Sequence, residues 1–400
     1  MITAADDALL AGVRAVLLGS GTALSMFGAV LGEQGADVIR VEPPAIGDDL
    51  RSRGPFVGEH SLAWAVSARS SRSVTCNLTH PEGKALALRL LEGATIVGEC
   101  LGPGQLDALA LELEVIRGPR AVVRFSGRGH IGPEAPQEAP ELVALALSGL
   151  LALTGQPHRP PVPFGVRLAE QLAGVSGASA ALAALLDQSP DHEGRPIVID
   201  LATHAAALRL TEWTVAAYDK LGIERRREGN RPSTVAPLDV YVTADGEHVA
   251  IVGGSDANFA RLVKAMDRED LLSDERYATA AARVAHGDEI NDRVAEWVAA
   301  HRTDDVERRC LACGAPFGRV AGPAEILANA HLAARGDLVT IDDPTIGPHV
   351  QQAPHPRVVG STHAVPTPAP TLGQHNEEIW GHEFGLTPTE LTRLRASGII

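Results

Sequence analysis

Aromatic side chains are scarce: Phe, Trp and Tyr make up 4% of the 400 residues. So few rings offer little stacking for unpaired bases. Positive charge is short as well, with 35 Lys+Arg against 50 Asp+Glu and a formal net charge of −15. Phosphodiester backbones and anionic bilayers call for a basic face, so neither nucleic acid nor membrane is an expected partner. A polyanionic small ligand would have to be met by a few cations gathered against the overall field. Four cysteines make no disulfide framework. Cys310 and Cys313 form a lone C-x-x-C, and the second pair a zinc site wants is missing, because Cys76 and Cys100 lie far upstream. No metal is expected. Long apolar runs are absent too; 142–153 is short and broken by Ser148 and Gly149. Residues 1–10 carry Asp6 and Asp7 and no basic cluster, unlike a secretory leader. The cytoplasm is the expected location.

What is present is ordinary for a globular chain: 45% hydrophobic and 21% charged residues. The length exceeds what one core usually serves, which predicts two domains or one elaborated domain. Short apolar runs at 13–18, 36–41, 73–78, 95–98 and 121–125 alternate with helical patterns at 23–34, 81–91 and 106–116. That order predicts βαβ crossovers and a mainly parallel sheet, hence an α/β fold. From 141 to 186 the pattern is helical and apolar, and 169–186 is rich in Ala and Gly, which suits a buried helix in close backbone contact. A strand at 197–201 and a helix at 203–221 follow. The basic stretch 224–231 reads as a linker. Beyond it 239–243 and 248–252 flank Asp245-Gly246 as a hairpin, with short helices at 258–266, 289–301 and 304–312. The expected division is a large domain over 1–225, a small α+β domain over 226–330, and a proline-rich return over 331–400 completing the large domain.

Gly19-Ser20-Gly21 after the first strand suggests dinucleotide binding, with Glu42 ending the second strand as the ribose acid. The third glycine is missing, so this stays a secondary reading.

An ordered series of motifs resembles the family III CoA-transferases, the group that includes formyl-CoA and carnitine CoA-transferases and α-methylacyl-CoA racemase. LAGVRAVLL (10–18) and GADVIRVEPP (35–44) resemble its opening βαβ unit, and Gly47-Asp48 with Arg51 its G-D-x-x-R. Arg69, Arg72-Ser73-Val74 and Pro81-Glu82-Gly83 follow. Then come GPG (102–104), SG-x-G (126–129), ALSGLLALTG (146–155), TADG (243–246), FARL (259–262), GAPFGRV (314–320) and PTLGQHNEEI (370–379). The resemblance covers nearly the whole chain. It implies a Rossmann-like large domain made from both chain ends, a small domain between them, and two subunits interlocked as a homodimer, with a heterodimer as the alternative. It implies coenzyme A as a substrate, with no permanently bound cofactor, and an acyl-CoA and a small carboxylic acid as reactants.

By the same resemblance Glu170 takes the place of the family's nucleophilic Asp. A carboxylate in a first helical turn sits at the positive end of the macrodipole, which keeps it ionised; that position also suits a residue that only stabilises the helix. Glu141 falls where the family often carries a second acid, as base or pocket wall, or is merely a helix-start acid after Pro140. The racemase histidine is replaced by Pro140, and His130 reads as a surface-loop residue. The resemblance assigns CoA binding to Ser20, Gly21, Thr22, Arg72, Cys76, Cys100, Leu101 and Gln105. Several cations of the pattern are missing: Ala108, Gln137-Glu138 and Ser70-Ser71 stand in their places. CoA transfer through Glu170 is therefore the first expectation. An acyl-CoA isomerase, racemase, lyase or hydratase using Glu170 and Glu141 as acid and base is the second, and a non-catalytic partner subunit the third. The loop Gly253-Gly254-Ser255 is expected to line the acyl end.

Overall fold

The computed structural model describes residues 8–187, 194–358 and 365–400. The chain opens with β1 (Arg14–Gly19), α1 (Thr22–Glu33), β2 (Asp37–Glu42), the short β3 (Phe56–Val57) and β4 (His60–Ser61), and α2 (Leu62–Ser67). It continues with β5 (Arg72–Thr75), α3 (Pro81–Glu92), β6 (Ile96–Cys100), α4 (Gln105–Leu109) and β7 (Ala121–Ser126). Next come α5 (Glu141–Leu147), α6 (Leu168–Leu186), β8 (Ile197–Ala202) and α7 (Thr203–Leu208). Six of these strands form one sheet in the order β5-β2-β1-β6-β7-β8, and every pairing in it is parallel. Ala15–Leu18 is buried on both faces, so the central strand reads as a continuous apolar run rather than an alternation.

Contacts divide the chain into two units: Met1–Leu150, Phe164–Glu212 and His331–Ile400 in the first, Leu151–Pro163 and Trp213–Ala330 in the second. In the first, one sheet face carries Leu17, Val38, Val123 and Phe125 against α1 and α6. Small residues bring these two helices together. A Cβ on Gly174 would stand 2.5 Å from the Ala23 carbonyl oxygen, and one on Gly177 would stand 2.6 Å from the Phe125 ring. By length and composition α6 could cross a membrane, yet Ala173, Ala178 and Ala181 are packed in this core. The opposite face packs Val16, Val41, Val74 and Val97 with α3, Trp380 and the C-terminal helix.

The return segment closes the sheet at β5. Ser73 and Thr75 donate their backbone N–H groups to His375 Nδ1 (3.0 Å) and Asn376 Oδ1 (2.8 Å). The His375 N–H reaches Ser73 O at 2.9 Å, and Trp380 Nε1 reaches Thr75 O at 3.2 Å. PTLGQHNEEI therefore satisfies an edge strand without being a strand.

The second unit holds α8 (Thr214–Leu221), β9 (Leu238–Val242), β10 (His248–Val252), α9 (Asp256–Ala265), α10 (Ala280–Ala285), α11 (Gly287–Ala299), α12 (Thr303–Cys313), β11 (Phe317–Arg319) and α13 (Pro323–Ala328). Its antiparallel sheet runs β11-β10-β9, turning as expected at Asp245-Gly246, where Gly246 has φ 84°. Cys310 is buried in its core beside Val306 and Leu262, with Cys313 packed alongside; the described residues hold no metal-ligating cluster. The chain ends with α14 (Ala330–Arg335), the hairpin β12 (Leu338–Asp343) and β13 (Gly347–Gln352), a π-helical turn at Glu377–Glu383, and α15 (Pro388–Ala396).

Three expected helices are shorter than the pattern suggests. The helix at 106–116 stops at Leu109 because Ala110 turns left-handed (φ 48°, ψ 51°), which lets Leu111 and Leu113 both point into the core. The apolar stretch 141–186 is two helices. Between them the segment Leu151–Pro163 leaves for the second unit, held there by Gly229 N to Gly155 O (3.1 Å) and Arg227 Nη1 to Ala152 O (3.3 Å). The helix at 203–221 breaks at Glu212, where φ is 55°.

Candidate active site

The strand order reverses between β1 and β6: the chain builds outward from β1 through β2 to β5, then returns to the other side of β1. In open parallel sheets the crevice at the carboxyl ends of such a pair is where ligands bind. Here those ends are Gly19 and Cys100, which are register partners. Gly19 (φ 98°) has no room for a Cβ, which would sit 2.2 Å from Cys100 O. The Ser20 N–H reaches that same oxygen at 3.3 Å.

Two helices start at this crevice. α1 begins at Gly21 with no capping side chain and no acid in its first turn, and a Cβ on Gly21 would meet nothing within 4 Å. Its first N–H groups, from Thr22 onward, therefore face an open approach. α6 packs on α1 through Gly174 and Ala23, which sets Glu170, one turn upstream of Gly174, at the same end.

Arg167 caps α6 without a side-chain hydrogen bond; Glu141 supplies the cap from α5. Its Oε1 accepts the Ala169 N–H at 3.0 Å and its Oε2 accepts the Glu170 N–H at 2.9 Å. Glu170 Oε1 accepts from Arg167 Nη1 at 3.0 Å, with the two side chains 16% and 44% exposed. Glu170 Oε2 has no protein partner among the described residues. The site thus presents one carboxylate oxygen without a protein partner among the described residues, on a residue whose backbone N–H is held by Glu141 and whose other oxygen is paired with a half-exposed arginine.

Cys100 lies within this field. Its thiol is pushed up to about 12, first by burial and then by the carboxylates of Glu99, Glu170, Asp48 and Asp49. It stays a neutral wall rather than a rival nucleophile. Asp48 belongs to the G-D-x-x-R motif, which forms a clasp under the crevice. Arg51 Nε and Nη2 donate to Glu42 at 2.7 and 2.8 Å, with the guanidinium 3.7 Å from the Trp64 ring centroid. Glu42 also accepts from the Asp48 N–H at 2.8 Å and Ser73 Oγ. Gly47 (φ 72°) is required because its Cβ would stand 2.7 Å from Arg51 Cδ. The dinucleotide reading fails here: Glu42 is 2% exposed and both oxygens are occupied, so no ribose hydroxyl can reach it.

The other CoA candidates are dispersed. Leu101 packs half-buried over the core with its N–H on Glu99 Oε1 (2.7 Å). Gln105 is exposed at the start of α4. Cys76 is 2% exposed, donates to Gly83 O at 3.0 Å, and is pushed up to about 12 by burial; it packs rather than binds. Arg72 lies at the opposite, amino-terminal edge of the sheet. It is bound to Asp37 (2.8 and 2.5 Å), Glu378 and Glu383 (2.9 Å each), so its charge is already matched. His130 lies in the loop after β7 as expected but is half-buried there, with Nδ1 3.0 Å from Asp200 and Nε2 3.9 Å from Glu99. In the second unit Gly254 O accepts from buried Arg283 (2.9 Å) and Ser255 caps α9. A cavity of about 520 Å³ in that unit, lined by His158, Arg227, Arg231 and Asp239 among others, contains none of the predicted site residues. Arg167 is what the sequence reading missed; its signal was an arginine three residues before the acid, the spacing of a helical ion pair.

A model of CoA-transferase family III matches residues 10–376. The chain belongs to that family. It is 35% identical over 393 residues to the succinyl-CoA–D-citramalate CoA-transferase of Chloroflexus aurantiacus, covering 97% of each chain. It is 32% identical to the beta subunit of succinyl-CoA–L-malate CoA-transferase from the same organism, covering 98% of each. Among solved structures, a CAIB/BAIF family protein from Brucella suis superimposes with a TM-score of 0.80 at 28% identity, covering 93% of this chain and 98% of that one.

Proposed function

We propose that this protein moves CoA from an acyl-CoA to a carboxylic acid, with Glu170 as the covalent nucleophile. The observation that carries the reading is the unpartnered Glu170 oxygen, set where α1 and α6 both begin beside the strand-order switch. Glu170 attacks the thioester carbonyl, a C–O bond forms as the C–S bond breaks, and CoA leaves as thiolate to give a mixed anhydride between Glu170 and the acyl group. The thiolate attacks the Glu170 carbonyl carbon and releases the first acid as carboxylate, leaving Glu170 as the CoA thioester. An acceptor carboxylate attacks that thioester, and the displaced thiolate then takes the acceptor's carbonyl and frees Glu170. No net proton, oxidant or metal is consumed. The uncapped N-terminus of α1 can receive a CoA phosphate, whereas that of α6 is already taken by Glu141.

The family membership and the names of the relatives support CoA transfer as the activity class. An isomerase or hydratase using Glu141 as second acid–base fits less well, because both Glu141 oxygens hold backbone N–H groups of α6. CoA enters as a substrate, with no resident cofactor, in a cytoplasmic setting. A second copy of the chain is the partner favoured: no residue of α8 is buried, with Val215, Tyr218 and Leu221 61%, 65% and 71% exposed. A related chain in that role is the alternative, given a relative named as a beta subunit.

The deciding experiment is intact-protein mass spectrometry after incubation with succinyl-CoA and other acyl-CoAs, with and without hydroxylamine. A hydroxamate mapped to Glu170 and lost in Glu170→Gln supports the reading. Steady CoA exchange that persists in Glu170→Gln overturns it.

A further inference from the structure

We infer that Arg167 selects dicarboxylic acids by holding the carboxylate that does not react; this deepens, and rests on, the CoA-transfer reading above. Among the described residues the Arg167 guanidinium makes one hydrogen bond, through Nη1 to Glu170 Oε1. Its Nε and Nη2 have no protein acceptor among the described residues, and the side chain is 44% exposed. The other arginines of the crevice are committed elsewhere: Arg40 faces Asp48, Arg51 holds Glu42 and Arg53 holds Asp49. Arg167 alone of these four has as its counterion the group that the proposed chemistry consumes. Once Glu170 becomes an anhydride or a thioester it carries no charge. The guanidinium is then uncompensated at the moment an acid must leave or enter.

The dimensions suit a diacid. Reacting atoms in an attack-ready pair lie about 3–3.5 Å apart. The carboxyl carbons of an extended four-carbon diacid are separated by about 4 Å, the span of three bonds. A distal carboxylate therefore falls at the outer edge of a guanidinium whose inner edge is 3.0 Å from Glu170. That edge offers two parallel N–H donors, the arrangement that binds carboxylates bidentately. Succinate, D-citramalate and L-malate, the acids in the relatives' names, all carry two carboxylates.

The test compares succinate with butyrate, which replaces the distal carboxylate by a methyl group, as CoA acceptors. In a double-displacement reaction kcat/KM for the acceptor reports only the acid meeting the CoA-loaded enzyme, whatever the donor. Arg167→Leu is expected to lower kcat/KM for succinate by ~10–100-fold, the value of a charge-assisted hydrogen bond. Butyrate should lose less, so that the succinate-to-butyrate ratio of kcat/KM falls by ~10-fold or more, and Arg167→Lys should recover part of that ratio. The butyrate arm shows within the same variant that the site is folded. Equal losses for both acids would assign Arg167 to the reacting carboxylate and overturn the inference, as would an unchanged succinate preference. Absence of CoA transfer by the wild-type protein would instead remove the reading on which it rests.

Discussion

Both oxygens of Glu141 accept backbone N–H groups from the first turn of α6, and one of those N–H groups belongs to Glu170. The second acid of the site thus aims the first. Removing it in Glu141→Ala should cost ~1–2 kcal/mol of stability, the range for a lost N-cap, and slow adduct formation on Glu170. Glu141→Gln keeps one acceptor oxygen. Its pH–rate profile should retain both limbs of the wild-type curve, and a vanished limb would mean that Glu141 exchanges protons during turnover.

Glu170→Asp restores the family's usual residue but withdraws the carboxylate by one methylene. The crevice here is set around the longer arm, with Arg167 meeting Oε1 at 3.0 Å. A displacement of about 1 Å in an attacking group can cost ~10²-fold. Single-turnover kinetics of the Asp variant should show a loss of that order; a rate equal to wild type would mean that the site tolerates either length.

Asp48 is 3% exposed, and burial pushes its carboxyl up to about 7, against the pull of Arg40 at 3.8 Å. The folded state therefore keeps this proton over a range in which the unfolded chain has released it. With more protons bound folded than unfolded, stability falls as pH rises from about 4 to about 7. Asp48→Asn preserves an acceptor for the Leu50 N–H, which Asp48 Oδ1 now meets at 2.9 Å. Urea midpoints at pH 5 and pH 8 should differ less in the variant, by ~2–4 kcal/mol of linked free energy; equal differences would show Asp48 ionised throughout.

Val215 and Leu221 belong to a helix with no buried side chain. If a second copy covers it, Val215→Asp with Leu221→Asp places unpaired charge in an interface and disfavours association. Light scattering should report a smaller mass for the variant than for the wild type. Identical masses would remove α8 from the interface.

The parallel sheet was legible because its strands have short apolar cores, as at Val16 and Val123, and its crossovers are regular. Helix ends were harder. Ala110 and Glu212 adopt positive φ for tertiary reasons that no local signal announces, and Leu151–Pro163 joins a different unit although it reads as apolar helix. Glu170 and Glu141 were singled out through motif order, and the structure brings them together. Their division of labour was not legible, because it depends on which lone pairs meet which N–H groups. Arg72 illustrates the converse: a charge counted from sequence says nothing about the carboxylates of Asp37, Glu378 and Glu383, which arrive from distant parts of the chain.

The closure of β5 by the return segment sets a timetable for the nascent chain. Ser73 and Gly373, joined by a hydrogen bond of 2.9 Å, are 300 positions apart. At ribosomal speeds of about 5–20 residues per second, roughly 15–60 s pass between synthesis of the strand and synthesis of its cover. During that interval a growing sheet displays an open edge to every neighbouring chain. A message truncated shortly before codon 370 would yield a product that keeps this edge for life, and its natural fate is to pair with another copy of itself.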